Sequence, residues 1–208
     1  MHKLLVISGT LLLLFLGANF RWVHAAVVVA SSTADESCAP ELVLAARERV
    51  RDFYSEVKSN PWVVCLDGPR LGLGRGVGST NFAPGLPSIL ILGSDGANID
   101  VLAHEWSHAE FAERVGVISR TYIYPTWFDE GLAMQVDLRD TYGLAALAVL
   151  ESDPDLVAVL RENVANPSGF FKPGAQGRLH YAWSRREVGR LLQAHALTDL
   201  LANPALVD

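Results

Sequence analysis

Residues 98–116 read NIDVLAHEWSHAEFAERVG. Within them, His104 and His108 stand four positions apart, and Glu105 directly follows the first. On an α-helix, positions i and i+4 share one face, one turn apart. The two imidazoles therefore aim at a common point, and zinc accepts such nitrogens at about 2.0–2.1 Å. Glu105 lies about 100° further round the helix. From there it reaches a water at the metal without ligating the metal, which is the placement of a general base.

The alternative is a helix that merely shows two histidines to solvent. Val101, Leu102, Ala103, Trp106, Phe111 and Ala112 argue against it, since they make the segment apolar on several sides. Histidines among them are partly buried and need polar partners, and a metal ion is one. Asp100 is the expected N-cap and Gly116 the expected stop, giving a helix over 101–115.

A catalytic zinc takes three protein ligands and keeps a fourth place open. The third ligand should come from another element. WFDEGLA, at 127–133, stands out: Glu130 follows a proline-led helix start at Pro125, and Gly131 lets that helix pack closely on the first. Asp129 is a weaker choice, because it points away if Glu130 points in. Glu110 and Glu113 lie past the metal on the same helix. His180 is distant in sequence.

Together, HEWSH and WFDEGLA resemble the gluzincin metallopeptidases, the thermolysin-like and M1-aminopeptidase-like group. In that group an H-E-x-x-H helix precedes a second helix bearing W-x-x-E-G-x-A. The resemblance runs from Ser88 to Leu192 and is specific at the two motifs. It implies one Zn2+ per chain held by His104, His108 and Glu130, with Glu105 as the base that activates water for peptide-bond hydrolysis. It also implies an oxyanion donor on a later helix. Tyr181 fits that role, with His180 the neighbour to weigh against it and a plain core tyrosine the other reading.

The sequence departs from the group in two places. Where thermolysin-like enzymes carry an acid one turn after the glutamate ligand, this chain has Met134, so Asp129, Asp137 or a backbone carbonyl must support the histidines. The G-x-M-E-N stretch that binds a free substrate N-terminus is missing, so aminopeptidase activity is not supported. EFAERVG supplies no third histidine, which excludes the metzincin pattern.

The surrounding chain suits such a domain. Its 208 residues allow one domain with a sizeable core. Half are hydrophobic, 19% are charged and the net charge is -6. No Lys/Arg run occurs, so nucleic acid is excluded as a partner. The expected partner is a peptide or protein substrate. Residues 4–20 form an apolar run after a short basic start, and Val23-His24-Ala25 offers a cleavage site. Residues 1–25 are therefore expected to be a signal peptide or an N-terminal membrane anchor, with 26–37 a linker and 38–208 the catalytic domain. Either outcome exports the domain; the uncleaved one associates it with a membrane. Cys38 and Cys65, an even pair in an exported chain, are expected to form a disulfide.

The expected fold class is α+β: a small N-terminal sheet followed by a mainly helical part. Helical spacing from Pro40 runs to a stop at Asn60-Pro61. WVVCL and SILILG read as strands. The glycines between them, at 68, 72, 74, 76 and 78, fit no phosphate-loop pattern. They are expected to form a loop or an edge strand, and Gly72 to Thr80 to accept substrate backbone as an added strand. Further helices are expected over 144–150 and 155–163, and a last long one from Gly177. The rival function is a non-catalytic exported zinc-binding or interaction domain.

Overall fold

The computed structural model describes residues 38–65, 78–82, 86–142, 144–153, 155–157, 160, 164–165 and 167–207. The expected signal segment, the linker and most of the glycine-rich stretch lie outside the described residues. So does much of the helix expected over 155–163.

The fold is α+β. Helix α1 (Pro40–Tyr54) leads into a three-stranded sheet of β1 (Trp62–Cys65), β2 (Gly78–Asn81) and β3 (Ile89–Leu92). The strand order is β1-β3-β2. β3 runs parallel to β1, pairing Ile89 with Trp62, and antiparallel to β2, pairing Leu92 with Gly78. All four residues of β3 are buried, as an apolar strand covered on both faces requires. Among the described residues β2 pairs with β3 alone and so forms an edge.

Helices follow: α2 (Ile99–Val115), α3 (Val117–Tyr122), α4 (Thr126–Val136), α5 (Leu144–Ser152), α6 (Pro167–Phe170), α7 (Gly174–Ala194) and α8 (Leu197–Ala202). The HEWSH helix is the centre of the fold. Every residue from Val101 to Ala112 is buried, because α1 and the sheet cover one side and α4 another. Leu90, Leu92, Leu102 and Trp106 join Ala46 and Val50 of α1 in one core. Phe111, Phe128 and Leu132 join Val188 and Leu200 in a second. Close approach of α4 to α7 depends on Gly131, where a Cβ would lie 2.6 Å from the Ser184 carbonyl oxygen and 2.5 Å from Val188 Cγ2.

Three details differ from the expected elements. The cap of α2 is Asn98, whose side chain accepts from the Val101 N–H at 3.0 Å. Asp100 instead sits in the first turn, where its carboxylate pairs with Arg49 and accepts from the Leu138 N–H. α1 stops at Tyr54 because Ser55 takes the left-handed conformation, φ 68°. That frees the Lys58 and Ser59 N–H groups to donate to the Glu110 carboxylate at 2.8–3.0 Å, which a continued helix would forbid. The short helices α3 and α8 carry too little periodicity to be read from sequence.

Cys38 and Cys65 form a disulfide that ties the start of α1 to the end of β1. Among the described residues no helix is long and apolar enough to cross a membrane.

Candidate metal centre

His104 and His108 stand one turn apart on α2, their rings edge to face with centroids 5.0 Å apart. α4 packs across them and delivers Glu130. Glu130 Oε2 lies 3.4 Å from His104 Nε2 and 3.6 Å from His108 Nε2. Three donors held on one tetrahedral ion by bonds of about 2.0–2.2 Å stand roughly 3.3–3.6 Å apart. Both Glu130 distances fall in that range, and all three donors lie within 4.8 Å of one another. All three side chains are buried, and Glu130 Oε2 has no hydrogen-bond partner. A buried carboxylate oxygen without a partner is costly unless a cation takes it. The His104/His108/Glu130 group can therefore hold a metal ion.

Each histidine is backed by a carboxylate, and each carboxylate by an arginine. His108 Nδ1 is hydrogen-bonded to Asp129 Oδ1 at 2.7 Å, and Asp129 pairs with Arg120 of α3. His104 Nδ1 stands 3.3 Å from Asp137 Oδ2, within ion-pair reach though not aligned as a hydrogen bond. Asp137 in turn takes Arg139, whose Nε donates to it at 2.9 Å. Such partners fix the imidazole orientation and leave Nε2 free to ligate. Met134 is fully buried.

With its histidines neutral, the cluster holds more acid than base. Glu105, Glu130, Asp129 and Asp137 face the cluster, against the guanidinium groups of Arg120 and Arg139. That leaves two formal negative charges in a buried site, which either a divalent ion or protonation of the two imidazoles neutralises. The titration of the cluster has the same cause. Burial pulls His104 down, but the Asp137 and Glu130 carboxylates overcome it and push the imidazole up to about 9. His108 is raised as well: Asp129 and Glu130 outweigh its burial. Burial would raise Glu130, yet the two histidines hold it well below the usual carboxylate range.

Glu105 stands beside the group and outside the ligand set. It lines the same cavity, of about 260 Å³, as the three ligands, Arg120 and Tyr181. Its carboxylate reaches β2, where Thr80 Oγ1 lies 2.6 Å from Oε2. Tyr181 of α7 has its ring centroid 6.2 Å from that of His104, braced by Tyr142 and Phe170 at 5.1 Å each. Burial, and then the charges of Glu130, Tyr142 and Glu105, raise its hydroxyl far above the ordinary tyrosine value. It stays protonated and can donate. The neighbouring His180 is turned away: it is fully buried, with Nδ1 2.6 Å from the Phe170 carbonyl oxygen. Glu110 is also remote from the cavity and holds the chain after α1. A second cavity, of about 380 Å³, shares no residue with this one.

The geometry thus gathers His104, His108, Glu130, Glu105 and Tyr181 around one space. Sequence reading left out Arg120 and Arg139, which carry no local signal, and saw Thr80 and Gly78 only as a surface for substrate. None of the known protein families, curated proteins or solved structures compared with this chain matches it.

Proposed function

We propose that this chain is an exported, zinc-dependent peptidase of gluzincin type that cleaves peptide or protein substrates. The observation that carries the reading is a carboxylate, Glu105, free of the ligand set yet lining the cavity of two histidines and a glutamate. A structural metal site is normally closed by four protein ligands, whereas a hydrolytic one has three and a base beside them. Imidazole and carboxylate donors suit zinc, which when bound supplies Lewis-acid polarisation of water and of the scissile carbonyl.

The protein's own groups divide the remaining work. Asp129 and Asp137 hold the two imidazoles with Nε2 inward. Glu105 accepts a proton from the attacking water and later passes it to the leaving amine, so it ends the cycle ionised again. Tyr181 donates its hydroxyl hydrogen to the oxygen that gains negative charge. β2 offers its outer edge, where an extended substrate adds as a further strand. Export is supported by the disulfide between Cys38 and Cys65, a bond that persists in oxidising compartments, together with the apolar segment at 4–20.

The test is hydrolysis of an unfolded protein substrate by the purified chain. Cleavage that a chelator abolishes and added zinc restores is the expected result. A zinc-loaded chain that leaves all unfolded substrates intact would overturn the proposal.

A further inference from the structure

The edge strand β2 packs against the HEWSH helix, and Glu105 lies in that contact. Residues 78 and 80 alternate with 79 along the strand and so share a face. Gly78 lies so close that a Cβ there would stand 2.6 Å from Glu105 Cγ and 2.8 Å from Oε1. Thr80 Oγ1 lies 2.6 Å from Oε2, and 2.7 Å from the main-chain carbonyl oxygen of Glu105. The carboxylate is therefore held between bare backbone at one oxygen and a hydroxyl at the other. Gly78 is glycine because the Glu105 side chain fills the space a Cβ would take.

The hydroxyl of Thr80 faces two acceptors and owns one hydrogen. While Glu105 is a carboxylate, that hydrogen serves Oε2, where a charge-assisted bond is strongest. When Glu105 takes a proton from water on its other oxygen, Oε2 remains an acceptor and the Thr80 hydrogen still serves it, with the main-chain carbonyl as the second acceptor that fixes the hydroxyl. We propose that Thr80 is the positioning residue of Glu105, keeping its carboxyl group hydrogen-bonded and aimed at the cavity both before and after proton uptake. This rests on the reading of Glu105 as the general base.

The experiment compares wild type, Thr80→Val and Thr80→Ser as zinc-loaded full chains. Valine keeps the branched shape and loses the hydroxyl; serine keeps the hydroxyl. Thr80→Val should lower kcat by about 10- to 100-fold, the cost of a mispositioned base, with KM nearly unchanged. Thr80→Ser should recover most of the loss. Thermal unfolding supplies a readout that needs no catalysis. Thr80→Val should lower Tm by a few degrees when Glu105 is present, and by clearly less when Glu105→Ala has removed the carboxylate and left only the main-chain acceptor. A Thr80→Val chain with wild-type kcat, or an equal Tm loss in both backgrounds, would overturn the proposal. If wild type hydrolyses nothing, the peptidase reading fails, and the unfolding comparison still decides whether Thr80 holds Glu105.

Discussion

Glu105→Gln should retain its zinc and lose hydrolysis by about 10²- to 10⁴-fold, the range spanned by removal of a general base. Glutamine has nearly the same shape, and its amide can still meet Thr80 Oγ1, which lies 2.6 Å from the native carboxylate. What it lacks is the capacity to accept the proton of water. The ligand set of His104, His108 and Glu130 does not include Glu105, so metal content should not change. The check pairs metal analysis with kcat/KM on a peptide substrate. Activity within tenfold of wild type would show that the proton goes elsewhere.

Glu110→Leu should cost about 3–5 kcal/mol of stability, as loss of one partner of a buried ion pair does. The Glu110 carboxylate has no exposed surface and accepts from the Lys58 N–H, the Ser59 N–H and hydroxyl, and Arg114 Nε at 2.7 Å. Leucine leaves these donors unpaired inside the protein. The Ser59 hydroxyl also receives the Trp106 indole N–H at 3.1 Å, so the damage reaches the turn between the two histidines. Urea unfolding measures the loss directly; a change below about 1 kcal/mol would mean that the buried donors find other partners. The site should bind zinc more weakly as a consequence.

How far the site could be read in advance follows from what each residue depends on. His104, Glu105 and His108 are related by helical geometry alone, and a metal constrains residue type and spacing at once. Glu130 was legible through its own motif, and its distances to the two Nε2 atoms, 3.4 and 3.6 Å, bear out its place in the group. The supporting acids were narrowed to Asp129, Asp137 or a carbonyl, and the structure uses both acids. The arginines behind them were not legible. Arg120 reaches Asp129 from α3, and a six-residue helix has no periodicity to announce its position.

The fold shows the same division. Strong patterns placed α1, β1, β3, α2, α4 and α7, because burial demands apolar residues at regular intervals. Ends were harder to place. Asn98 and Asp100 are both good caps, and the choice between them depends on Arg49 and Leu138 reaching Asp100 from elsewhere in the fold. The left-handed turn at Ser55 is selected by Glu110, some 55 residues away in sequence, and nothing local to the serine signals it. Gly78 was read as room for a substrate chain; it is room for Glu105.

The central claim is that His104, His108 and Glu130 hold one zinc ion. Metal analysis of the purified full-length chain beside its His104→Ala variant tests it most directly. One zinc per wild-type chain, and none in His104→Ala folded to the same extent, is the expected result. A wild-type chain that takes up no zinc, even after refolding in its presence, would contradict it.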